Sequence, residues 1–180
     1  MARGGSERKQ VRLVTKYETT LAEIGRAKEL FAAYGQRLGD DERLGEMLAA
    51  YQREIAATWR TFAGSRVVEL CAACAGADQI SCCFDGAEYW FDRHLLLINL
   101  MMGVELPTER WAEGQCLFVG PDGCRLKARF AICINFFCPD LRQRIGSQEL
   151  LRLRRQGGRE VLAGLELEEA LRRWLAQNAG

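Results

Sequence analysis

Apolar residues at Tyr17, Leu21, Ile24, Phe31 and Leu38 recur at three- and four-residue steps, or their multiples, through an otherwise polar segment. This spacing lines one face of a helix. A second stripe, Leu44, Leu48, Tyr51, Ile55 and Phe62, follows the short link Gly39-Asp40-Asp41, in which glycine can end one helix and aspartate can cap the next. The pattern predicts a helical hairpin over residues 6–63 whose two stripes pack on each other. Residues 64–91 lose the helical period at Gly64, Gly76 and Gly86 and read as loop. Asp92 then offers an N-cap to a short apolar helix over 93–102, with Gly103 as its terminator and Pro107 beyond. From Gln115 to Leu126, two short apolar runs flank Gly-Pro-Asp-Gly and predict a β-hairpin. Beyond Pro139 the positions Leu150, Leu153, Val161, Leu165, Leu171 and Leu175 return to helical register, with a break or bend expected at Gly157-Gly158. The expected fold is mainly α: an N-terminal helical hairpin and C-terminal helices around a cysteine-rich loop region that carries a small β-hairpin.

Composition adds bounds to this outline. Residues 1–180 read as a single domain, with a helical hairpin over 6–63, a cysteine-rich region over 64–140 and C-terminal helices over 141–180. The 48% hydrophobic and 27% charged residues are ordinary for a chain able to bury a core. A net charge of +1 points to neither nucleic acid nor a basic partner. Arg142, Arg144, Arg152, Arg154, Arg155 and Arg159 cluster against Glu149 alone, and are read as the solvated side of a helix and not as a nucleic-acid footprint. The longest apolar run, Leu95–Met102 interrupted by Asn99, falls far short of the about 20 residues that a membrane helix needs. The charged start Met1-Ala-Arg-Gly-Gly-Ser-Glu-Arg-Lys-Gln10 lacks the apolar core of a secretory signal, so the expected compartment is the cytoplasm.

All eight cysteines fall within the central region: Cys71, Cys74, Cys82, Cys83, Cys116, Cys124, Cys133 and Cys138. In a reducing compartment such crowding favours ligation over cross-linking. A Cys-x2-Cys pair such as Cys71/Cys74 can aim two thiolates at one ion. Adjacent Cys82 and Cys83 would point to opposite faces of extended backbone, and so to two centres unless a turn intervenes. The predicted hairpin brings Cys116 near Cys124. Cys133-x4-Cys138 followed by Pro139 has the Cys-Pro ending of ferredoxin motifs with a different spacing. Arg125, Lys127 and Arg129 lie where they could offset thiolate charge. His94, the lone histidine, is expected to be structural and not a ligand. Phe84, Tyr89, Trp90, Phe91, Trp111, Phe118, Phe130, Phe136 and Phe137 crowd the same region as an expected core that would also shield a site from water.

Over about residues 70–140 this order is similar to the YkgJ-type proteins, a bacterial group described as a zinc- or iron-chelating domain. The resemblance is carried by Cys71-x2-Cys74 followed by Cys82-Cys83, by Cys116-Leu117-Phe118, by Asp122-Gly123-Cys124 and by Arg129-Phe130-Ala131-Ile132-Cys133. Phe130 stands where the family has proline, Ile134 where arginine is common, and the gap from Ala75 to Ser81 is longer than usual. The resemblance implies a metal or cluster held by cysteine. It extends distantly to flagellin lysine N-methylases, which implies a conceivable cluster-assisted methyl transfer. The chain nevertheless has no Gly-x-Gly-x-x-Gly after a strand, no P-loop and no Cys-x3-Cys-x2-Cys.

The leading expectation is a metalloprotein that binds an iron–sulfur cluster, or a zinc or iron ion, in a structural, electron-transfer or metal-handling role. All eight cysteines are candidate ligands and no catalytic residue is assigned. Two alternatives stand beside it: a thiol–disulfide enzyme built on Cys71/Cys74, and a metal-stabilised module whose helical flanks recognise a protein partner.

Overall fold

The computed structural model describes residues 16–75 and 83–178, with the backbone alone at residue 16 and residues 72–75. The fold is mainly helical with one small antiparallel hairpin. The first stripe forms α1, Lys16–Asp40, and the second forms α2, Glu42–Ala63. Asp41 makes the turn between them: its Oδ1 accepts the Leu44 N–H at 2.9 Å, satisfying one of the donors that a helix start leaves open. Gly39 lies inside α1 and does not terminate it.

The two stripes do not chiefly meet each other. Helix α2 lies mainly along α7, Ser147–Asn178, and α1 lies mainly on α4, Arg93–Met101. Helix α4 explains the arrangement. Leu95, Leu96, Leu97 and Ile98 are buried in succession, and a helix apolar all round must be enclosed by several partners. At about 1.5–3 kcal/mol for each fully buried large aliphatic side chain, this short segment outweighs the direct contact of α1 with α2. Asp92 caps α4 by accepting the N–H groups of His94 and Leu95, each at 3.0 Å. Gly103, at φ 72°, follows the helix end as its sequence position suggests. Glu23 of α1 clamps the start of α4 through the Arg93 backbone N–H at 2.9 Å and Arg93 Nε at 3.1 Å.

Helix α7 runs unbroken through Gly157-Gly158, where a bend is expected from the sequence. Close packing accounts for two of its glycines. A Cβ at Gly157 would lie 2.5 Å from Asn135 Oδ1, and one at Gly164 would lie 3.0 Å from the Tyr51 ring. The far end of α7 docks at the α1–α2 turn, where Trp174 Nε1 donates to Asp41 Oδ2 at 3.0 Å and the Arg37 guanidinium covers the indole at 5.2 Å.

The described part of residues 64–91 carries more regular structure than its glycines suggest. Helix α3, Val67–Ala75, carries Cys71 and Cys74, and a 3-10 turn spans Ala87–Trp90. Strands β1, Val119–Gly120, and β2, Gly123–Cys124, pair Val119 with Cys124 and Gly120 with Gly123. Two short helices follow, α5 over Ala131–Asn135 and α6 over Pro139–Ile145. The main core joins α1, α2, α4 and α7 with Leu106, Leu117, Phe118, Leu126 and Ala128 from the cysteine region. A smaller core gathers Phe62, Val67, Phe137, Leu141 and Leu153 under α3 and α6. Among the described residues no helix is long and apolar enough to cross a membrane.

Candidate metal centre

The hairpin assembles the first group of cysteines. The Cys116 N–H donates to the Cys83 carbonyl at 2.8 Å, and Phe84 pairs antiparallel with Gln115, so two cysteines distant in sequence run side by side. The chain turns at once after Cys116: Val119 N–H donates to the Cys116 carbonyl at 3.0 Å, and Arg125 N–H returns to the Phe118 carbonyl at 2.8 Å. Cys124 is thereby brought across from the Cys116 turn. Buried Glu88 fixes this layout by accepting the Gly86 N–H at 3.0 Å and the Leu117 N–H at 3.4 Å, while Arg110 pairs with its carboxylate and reaches the Gln115 carbonyl.

The sulfurs of this group sit in a recognisable electrostatic setting. Burial pushes the Cys116 thiol up to about 12, the N–H of Phe118 opposes that shift by donating to the sulfur, and Glu88, Cys124 and Cys133 add to it by charge repulsion. Burial also raises Cys124, against the N–H of Leu126 and the positive charges of Arg129 and Arg125. Cys116 and Cys124 therefore share one device, an amide two residues downstream aimed at the sulfur. A neutral thiol is a weak acceptor and gains little from such a donor, whereas a thiolate gains a charge-assisted bond. Cys133, on α5, is exposed but lies within electrostatic reach of Cys116. Cys116, Cys124 and Cys138 are thiols and not disulfides.

Asn99 holds the segment that links Cys124 to Cys133. Its Oδ1 accepts the N–H groups of Lys127 and Ala128 at 2.9 and 3.0 Å, and its Nδ2 donates to the carbonyls of Leu95 and Ala128 at 3.0 and 2.9 Å. The residue is fully buried, so these four bonds replace water completely. One signal in the sequence marked it: Asn99 is the polar interruption of the apolar run. Glu88 and Arg110 carried no such mark.

The three expected counter-charges divide by role. Arg125 and Arg129 act on Cys124, whereas Lys127 Nζ donates to the Met102 carbonyl at 2.9 Å and serves the loop. Arg125 also donates to the Leu117 carbonyl at 2.7 Å, tying both arms of the hairpin. Arg129 is nearly buried, stacks over Trp59 at 4.6 Å and lies 3.5 Å from fully buried Glu160. Burial raises the Glu160 carboxyl, and Arg129 counters the shift without cancelling it. The guanidinium is thus shared between a thiol and a carboxylate that are remote in sequence.

The other cysteines occupy a second neighbourhood or lie outside the described residues. Cys138 caps α6, its Sγ accepting the Leu141 N–H at 3.4 Å, and packs on the smaller core. Cys71 is exposed on α3, which packs against α6 and α2. The Cys74 side chain and Cys82 are outside the described residues, so the expected divergence of Cys82 and Cys83 falls there too. The Cys71/Cys74 pair sits on a helix and not in the expected loop, toward its C-terminal end. Neither residue stands at the helix start, the position that activates a thiol–disulfide pair. His94 binds Asp92 through Nδ1 at 3.3 Å, in a groove formed with Arg26, Tyr34, Arg93 and Arg172 and lined by no cysteine.

Among the described residues, no three Cys, His, Asp or Glu side chains stand close enough together to hold one ion. The donor chemistry nevertheless suits a cysteine-bound group: amide-supported sulfurs, flanking arginines and an aromatic surround. Phe84 meets Trp90 edge-on at 5.8 Å, Trp90 stacks on Phe130 at 5.9 Å, and Phe91 meets Phe118 at 4.9 Å. These rings are not all core, since Phe91, Phe118 and Phe137 are buried while Phe84, Tyr89, Trp111, Phe130 and Phe136 are exposed. Set against known proteins, the chain matches no family model, no curated protein and no solved structure.

Proposed function

We propose that this chain is a cysteine-ligated metalloprotein that holds an iron–sulfur cluster, or failing that a zinc or iron ion, in the neighbourhood of Cys83, Cys116, Cys124 and Cys133. The observation that carries the reading is the backbone layout that sets Cys116 beside Cys83, its N–H on the Cys83 carbonyl at 2.8 Å, and returns Cys124 toward it through the hairpin, with the Phe118 and Leu126 N–H groups opposing the rise that burial imposes on the two thiols. Cys116 is buried and Cys124 half-buried, and such donors serve a metal-bound thiolate better than a neutral thiol. Cys71, Cys74, Cys82 and Cys138 are the further ligand candidates. The resemblance of the cysteine order to the YkgJ-type proteins points the same way. A bound cluster would supply reversible one-electron chemistry, and zinc would supply a rigid cross-link. The chain's own part is to expel water with Phe91 and Phe118, to offset thiolate charge with Arg125 and Arg129, and to hold the two hairpin arms in register through Glu88 and Asn99.

Anaerobic purification followed by iron, sulfide and zinc analysis and an absorption spectrum tests the reading. The expected result is a stoichiometric metal content that falls sharply in Cys116→Ser, Cys124→Ser and Cys133→Ser, with broad visible absorption where a cluster is bound. A folded, colourless protein without metal would refute it.

A further inference from the structure

The side of α7 that faces away from the core carries an ordered pattern of its own. Leu151, Arg155, Gly158, Leu162, Leu165 and Glu169 follow one another at alternating steps of four and three, which is the spacing of a coiled-coil seam. Every one of them is exposed, with the three leucines at 52%, 58% and 57%. Gly158 sharpens the point. Unlike Gly157 and Gly164, it is not required within the chain, since a Cβ there would meet nothing within 4 Å. A glycine in a helix interior weakens the helix, so its place on this face asks for a contact from outside.

We propose that α7 pairs antiparallel with α7 of a second copy of this chain, about a two-fold axis at Leu162. That axis sets Leu162 against Leu162 of the partner subunit and Arg155 against the partner's Glu169, and brings Gly158 within one residue of level with the partner's Leu165. The Leu162 pair occurs once, and the two off-axis relations each occur twice by symmetry. The leucine enters the space left by the missing side chain, a knob meeting a hole. Charge decides the direction. Arg152, Arg154, Arg155 and Arg159 make the first half of this helix basic, and Glu166, Glu168 and Glu169 make the next part acidic. Antiparallel copies place unlike charges together, whereas parallel copies would oppose arginine to arginine. A face complementary to itself in both shape and charge points to a copy of the chain as its occupant. The pairing is independent of whether metal is bound.

Sedimentation velocity of the full chain from about 1 to about 200 µM tests it, since assembly follows protomer concentration. The wild type is expected to shift from monomer to dimer across that range. Gly158→Gln fills the hole while favouring the helix, and should weaken dimerisation at least about tenfold with helicity retained. Arg155→Glu should weaken it comparably, and Arg155→Glu combined with Glu169→Arg should restore it, a recovery that simple misfolding would not produce. A wild type that stays monomeric overturns the proposal, including the case in which a different protein covers this face. A dimer indifferent to Gly158→Gln, or a failure of the charge swap to restore association, overturns it as well.

Discussion

At the scale of single residues, the cysteine region depends on a few buried polar groups more than on the cysteines themselves. Asn99 carries the largest share, because it alone serves the N–H groups of Lys127 and Ala128 and the Ala128 carbonyl. Asn99→Leu keeps the volume and abandons those partners in a dry site. At about 1–3 kcal/mol for each polar group left unsatisfied, the expected loss is about 3 kcal/mol or more. Urea denaturation should show it as a lower midpoint, and metal content should fall with it. This residue was legible in outline, as an asparagine inside an apolar run. Arg129 was legible only as a charge between two cysteines. Its placement between Cys124, Glu160 and Trp59 joins three separate stretches of chain, which no local pattern encodes.

At the scale of elements, the helices that begin on a side-chain cap were readable because capping is decided within three residues. Asp41 and Asp92 both accept the N–H groups their sequence positions suggest. Helix α7 shows the opposite case. Its Gly157-Gly158 pair reads locally as a break, yet the helix continues because the cost of a helical glycine, about 1 kcal/mol, is small beside the packing of a long buried face. The close approach at Gly164 makes a direct test. Gly164→Ala would press a methyl group to 3.0 Å from the Tyr51 ring and is expected to lower stability by about 1–3 kcal/mol despite its better helix propensity. Gly25→Ala on α1, where the new atom meets nothing, should instead raise stability by up to about 1 kcal/mol. Thermal denaturation followed by circular dichroism separates the two. Helix α3 was missed because Gly64 and Gly76 flank a segment too short to display a period.

At the scale of the whole molecule, the cysteine region is packed on a helical frame that supplies most of their shared core. The main core is supplied largely by α1, α2, α4 and α7, none of which contains a cysteine. Removal of metal by a chelator under reducing, anaerobic conditions is therefore expected to leave most of the far-ultraviolet helical signal in place. Amide exchange should accelerate selectively on either side of α4, in residues 83–91 and 103–138, whose order would rest on the bound group. Cooperative loss of α1, α2 and α7 on chelation would contradict this division. The frame also has two cores, with Cys138 on the smaller one, and this splits a cysteine set that reads as one centre along the chain.

What the amino-acid order determined by itself was whatever depends on neighbours along the chain: a mainly helical fold, the capped starts of α2 and α4, the small hairpin that returns Cys124 toward Cys116, and the confinement of every cysteine to one region. Only the tertiary structure decided which helix each apolar stripe meets. It also decided which cysteines share a neighbourhood and which arginines face a sulfur. The reason is that a stripe or a charge is complementary to many partners of the same kind. The enclosure of the all-apolar α4, which needs burial on every side, is what selects among them.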